Sequence, residues 1–275
     1  MSVRDRLGIH TITLKNWSLA ETCAGLSGAE VPAITLWRDA IEPVGVDTAK
    51  KLVEDSGLRI TSLCRGGFFP ALDEAGRQKA IDENKACIDE AAAVGAPAIV
   101  LVCGAVPGQS LQESRKQITE GIAAVLPHAK ENGVKLSIEP LHPLYAADRS
   151  AVTTMSQARE MCEQLNSEGE TNVGIAADVY HIWFDDKLEE EIMASGQKGW
   201  LHAFHICDWK AEQSDPLQDR GLMGEGVIDI REIEGWMSNA GYQGDVEVEI
   251  FSQHHWKKDP AIFLQEILVA TDACI

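Results

Sequence analysis

Basic residues are scarce: 24 Lys and Arg face 43 Asp and Glu, a formal net charge of −19. A surface of that sign repels a phosphate backbone, and no Arg-rich stripe offsets it locally, so nucleic acid is excluded as a partner. No window reaches the roughly 18 apolar residues of a membrane span. The arginines at 4 and 6 lead into no apolar leader segment, so the expectation is a cytoplasmic protein without a membrane partner. The cysteines (23, 64, 87, 103, 162, 207 and 274) contain no CxxC pair and lie mostly in apolar or helical patterns. They read as reduced core thiols, not as disulfides or a zinc knot. No Gly-x-Gly-x-x-Gly opens a helix after the first strand, which counts against an open dinucleotide-binding sheet. No linker or low-complexity tract divides the 275 residues.

What the chain has is alternation. β-rich runs occupy 7–13, 31–38, 58–64, 98–103, 134–139, 173–178, 201–207 and 245–251. Helical spacing recurs between them, at 19–26 behind a Ser18 cap, from an Asp47 cap to 55, and at 73–94, 110–132, 154–166, 187–195, 230–240 and 260–271. Residues 65–70 cluster Gly and Pro and read as a loop. Eight strands alternating with eight helices, repeating about every 34 residues, predict an α/β fold with one (β/α)8 TIM barrel over residues 1–275.

Chemistry in such barrels sits at the C-terminal strand ends, so polar residues there carry weight. The segment 174–181 reads GIAADVYH. Its period of two puts Gly174, Ala176 and Asp178 on one face, a carboxylate above a column of nearly bare positions like a barrel interior. Glu139, His205 and Glu249 end three other runs on faces that can converge with Asp178. Three carboxylates meeting at one mouth repel unless a cation holds them, and three oxygens with one imidazole suit one hard to borderline divalent ion. Mn2+ is favoured, ahead of Mg2+ or Co2+. Glu247 shares a face with Glu249; it is either a deeper barrel residue or, if the register slips, the ligand itself.

The segments IEPLHP (138–143), ADVYH (177–181), FHICD (204–208), DRGLMGEG (219–226) and GDVEVE (244–249) resemble the metal-site segments of the xylose-isomerase-like TIM barrels, the sugar isomerase/epimerase superfamily. The likeness spans strands 5 to 8 closely and strands 1 to 4 only by general pattern. It implies metal ligands at Glu139, Asp178, His205 and Glu249, and substrate contacts at His181 and Arg220. It departs from the family at Ala203, where many relatives carry a histidine, and at Met223–Gly226 in place of Pro-Gly-x-Gly. It further implies an isomerase or epimerase of a sugar or keto-sugar, with Glu139 and Glu249 moving a proton beside a carbonyl through an enediolate. The alternative is a dehydratase or lyase on a keto-sugar, keto-inositol or keto-glycoside, with His181 protonating the leaving group. Dimers or tetramers are the implied assemblies.

Trp37, Phe68 and Trp183 follow or end strands, as do Phe69, Tyr145, Trp209 and Trp256, and flat rings suit the C–H face of a sugar or polyol substrate. Few arginines lie at this end (38, 65, 149 and 220) and no glycine-rich cradle accompanies them, so an unphosphorylated, weakly charged substrate is expected. His10 and His142 read as structural or exposed. Two other classes share the pattern: an endonuclease-IV-like nuclease, disfavoured by Ala203 and the acidic charge, and a non-catalytic sugar-binding subunit.

Overall fold

The computed structural model describes residues 3–275. Eight parallel strands close a barrel in sequence order: β1 Leu7–His10, β2 Ala33–Trp37, β3 Arg59–Gly67, β4 Ala98–Val102, β5 Lys135–Glu139, β6 Val173–Asp178, β7 Leu201–Ile206 and β8 Val246–Val248. The seam pairs β1 with β8 in the register Leu7↔Val246, Gly8↔Glu247 and Ile9↔Val248. β4 is buried on both faces, which is why it can read Ala-Ile-Val-Leu-Val without a polar break. Outward residues such as Ile34, Leu36, Ile138 and Ile175 join the main core under the helices. Each large aliphatic side chain so buried contributes about 1.5–3 kcal/mol. Inward positions are small or polar instead, with Cys64, Val100, Ala176 and Ala203 forming their own cluster.

The helices begin where side-chain oxygens satisfy orphan amides. Ser18 and Glu21 form a reciprocal capping box, while Asp73, Ser110, Thr154 and Asp259 cap the helices that follow them. Asp47 departs from expectation: the helix Val46–Asp55 starts after Gly45 (φ 79°), which leaves Asp47 inside the first turn.

Three boundaries differ from the sequence reading. β1 stops at His10 and residues Thr11–Leu14 tighten into a 3-10 turn. β3 runs through Gly67 where a loop was expected. There Asn84 brackets Gly67, accepting from its amide and donating to its carbonyl at 2.7 Å each. Any Cβ at Gly67 would lie 1.9 Å from the Val102 carbonyl, so the pattern that suggested a loop is instead a backbone contact between β3 and β4. β8 ends at Val248, yet the Glu249 amide still donates to Ile206 O at 3.1 Å, continuing the ladder as far as the site.

Lower in the barrel, the His202 ring fills the space beside Gly174, 2.3 Å from where a Cβ would project. Hydrogen bonds to Ser137 Oγ and Thr171 O, both 3.1 Å, hold that ring. The bare column of β6 therefore makes room for an imidazole from β7.

Candidate metal centre

The ends of β5, β6 and β7 and the residue after β8 bring Glu139, Asp178, His205 and Glu249 together. One donor atom from each lies within 4.8 Å of all the others, and all four side chains are buried. Their strands fix this: Asp178 and His205 are register partners, and Glu139 ends β5 opposite Val102. Ligands bound at about 2.0–2.2 Å to one ion lie about 3–4.4 Å apart. The spacing and the set of three oxygens and one nitrogen fit a divalent ion, and Nε2 of the buried His205 has no hydrogen-bond partner.

Arg220 threads into the same cluster. Its Nη1 donates to Glu249 Oε2 at 2.7 Å and to Asp178 Oδ2 at 3.0 Å, and its Nη2 lies 3.2 Å from His181 Nε2. The rings of Tyr180 and Phe251 sandwich the guanidinium, 4.4 and 5.0 Å from its carbon. Two bridges, Asp208↔Gly221 and Asp219↔Ser252, anchor the arginine's segment. Asp208 organises the turn beyond by accepting from the amides of Trp209, Gly224, Gly226 and Ile228 at 2.8–3.1 Å. Gly226 is required there, since a Cβ would lie 2.2 Å from Trp209 O.

Charge follows from this packing. Burial alone would raise the Glu249 carboxyl, but His10 and Arg220 outweigh it and hold the group well below the usual carboxylate range. Burial pushes Asp178 up to about 7 against the opposing pull of Arg220. Burial would lower His205, yet its hydrogen bond to Glu139 Oε1 (3.1 Å) and the charges of Glu247 and Glu249 raise it to about 10. His181 is pushed well down by burial and then by Arg220, so it is neutral at neutral pH.

Glu247 lies deeper. Its Oε2 accepts from Thr35 Oγ1 at 2.6 Å and Thr61 Oγ1 at 2.7 Å, and the Nε2 atoms of His10 and His205 stand 3.7 and 3.9 Å away. It occupies the inner position of the two readings, and Glu249 the outer one. His10, expected to be structural or exposed, is fully buried with Nδ1 3.1 Å from Glu249 Oε1 and 3.1 Å from the indole nitrogen of Trp37. Sequence reasoning passed over it although it ends β1, the same signal that identified the other four.

Above the cluster is a narrow cavity that Glu139, Glu249, His181, Arg220 and Trp37 all line. Phe68 and Trp183, also expected there, do not line it. Phe68 leaves Gly67 with a left-handed backbone (φ 54°) and is 41% exposed. Trp183 follows His181 by two residues on a helical turn, which directs it to the opposite side, against Trp209 (ring centroids 5.9 Å). Phe69 is buried, pressed against Gly121, and Trp256 donates to Ile12 O at 3.0 Å, so both are packing residues. His142 stacks on Trp209 outside the cluster.

A closed eight-stranded barrel with acidic and imidazole side chains gathered at its C-terminal mouth defines the class as an α/β barrel with a candidate metal site. Residues 19–269 match the family model described as the xylose isomerase-like TIM barrel, and the chain belongs to that family. A crystal structure of a protein from Sinorhizobium meliloti 1021 superposes with a TM-score of 0.94 at 44% identity, over 99% of each chain. An inosose isomerase of Halalkalibacterium halodurans is 25% identical over 77% of this chain and 73% of its own. At 21% identity and a TM-score of 0.83, an IOLI protein solved with a bound zinc atom shares the fold over 97% of this chain and 96% of its own.

Proposed function

We propose that this protein is a divalent-metal-dependent isomerase or epimerase acting on a sugar or cyclic keto-polyol by moving a proton beside a carbonyl. The observation that carries this reading is the convergence of Glu139, Asp178, His205 and Glu249 under one cavity. The inosose isomerase and sugar epimerase names among the relatives and structural neighbours support the reaction class.

Glu139, Asp178, His205 and Glu249 would hold one divalent ion, whose chemistry is Lewis-acid stabilisation of negative charge developing on the substrate oxygen. Mn2+ is first in our reading, with Mg2+ or Co2+ next; metal analysis of the purified protein tests this. Glu249, held ionised at neutral pH, takes the proton from the carbon beside the carbonyl. Glu139, on another strand and hydrogen-bonded to His205, returns a proton on the other face or at the neighbouring carbon. Arg220 and neutral His181 orient the substrate's oxygens, and Trp37 offers an apolar face.

A second reading, loss of a β leaving group with His181 handing it the proton first taken from the substrate carbon, since the imidazole rests neutral, is favoured by that residue's place in the same cavity. Incubating the enzyme with candidate ketoses and inososes in D2O separates the two. Deuterium in recovered or isomerised sugar supports the first reading, and an ultraviolet-absorbing unsaturated product supports the second. Absence of both with every substrate would leave only a non-catalytic binding role. We further propose that residues 1–275 are one barrel domain working in the cytoplasm as a dimer or tetramer, which light scattering on the purified protein checks.

A further inference from the structure

Nine of the eleven arginines donate to a carboxylate or carbonyl oxygen: Arg4, Arg6, Arg38, Arg59, Arg77, Arg115, Arg159, Arg220 and Arg231. Arg65 and Arg149 stand apart among the described residues. Neither side chain donates to an oxygen or pairs with an acid, in a chain where acids outnumber bases 43 to 24. Each instead lies over an aromatic ring, Arg65 over Phe68 at 4.6 Å and Arg149 over Tyr145 at 5.8 Å. Both are half-buried and both line the cavity above the Glu139–Glu249 cluster. They also feel each other: burial lowers the Arg65 guanidinium and the charge of Arg149 lowers it further, and the charges of Glu139 and Glu249, which make no ion-pair contact with it, offset only part of this.

Two like charges brought together in a half-dry cavity, with donors unused while acids abound elsewhere, are costly unless something of opposite charge visits them. We infer that Arg65 and Arg149 form an oxyanion subsite, and that the substrate carries a carboxylate or phosphate held there while its carbonyl faces Glu139 and Glu249. A guanidinium fork matches either group by paired N–H bonds, and the rings beneath keep each fork in place. This rests on the proposed function in taking the cavity as the substrate's. It turns the expectation of a weakly charged substrate around, because the sequence shows how few arginines lie at this end but not that two of them arrive unpaired.

Calorimetric titration of the metal-loaded protein with inorganic phosphate and with glycolate, the smallest phosphate and carboxylate probes, tests the subsite and tells the two chemistries apart. One of the two should bind, and Arg65→Gln or Arg149→Gln should weaken that binding at least about tenfold, whereas Arg115→Gln should leave it unchanged. Arg65→Gln and Arg149→Gln should each keep the parent's melting temperature within about 2 °C, because neither loses a side-chain hydrogen bond or ion pair. Absence of binding by both anions, or binding that survives in the double Arg65→Gln, Arg149→Gln variant, overturns the inference. Deuterium exchange is read separately: arginine-dependent anion binding without exchange would sink the catalytic reading and leave the subsite standing.

Discussion

Glu247 and Glu249 lie two residues apart on one face of the last strand, yet their surroundings divide them. Around Glu247 the barrel supplies hydroxyls, Thr35 and Thr61, that saturate one oxygen, with two imidazoles beyond. Around Glu249 it supplies other carboxylates, an imidazole and an arginine that bridges to Asp178. A carboxylate whose oxygen is saturated by hydroxyl donors is a structural anchor. A carboxylate facing others of its own charge is poised to bind a cation or exchange a proton. Depth along the barrel axis, one pleat in this case, separates the two.

The contrast can be broken experimentally. The largest effect belongs to the outer level: Glu249→Gln should lower deuterium exchange into substrate by about 10²–10⁴-fold. At the inner level, Glu247→Ala should cost about 3–5 kcal/mol in urea unfolding, because it strips a buried partner from His10 and the two threonines. If its unfolding free energy matched the parent's, the anchor assignment would fall. Saturating divalent metal should stabilise the parent by about 2.7 kcal/mol at a hundredfold excess over its Kd. That gain should vanish in Glu249→Gln and persist in Glu247→Gln; loss in both variants would mean the levels are not separable. The smallest effect is expected at the floor of the same face, where Gly174→Ala should cost about 1–3 kcal/mol by displacing His202.

How much of this could be read beforehand follows from what periodicity encodes. Period two puts Asp178, His205 and Glu249 on inward faces, and the strand-end rule puts them at the mouth, so the cluster was legible. Depth was not, because Glu247 and Glu249 share a face and only the β1–β8 register sets the first opposite Gly8, one pleat below the level of His10 and Glu249. Phe68 and Trp183 do not line the cavity, for a related reason: following a strand brings a residue near the mouth, but a left-handed backbone or a helical turn decides where its ring goes. Arg65 and Arg149 were visible as residues, and their lack of partners became visible only once every acid had a position.

The seam between the first and last strands has a consequence in time. His10 leaves the ribosome with the first strand and Glu249 just after the last, so the 3.1 Å contact between them cannot exist until all eight strands have been synthesised. Until Gly8 meets Glu247, the half-made sheet carries a raw edge on each side and a scattered set of acids without a common centre. A message cut short before β8 would accordingly yield an inert, aggregation-prone fragment, and chaperone dependence should fall abruptly once that strand has been released.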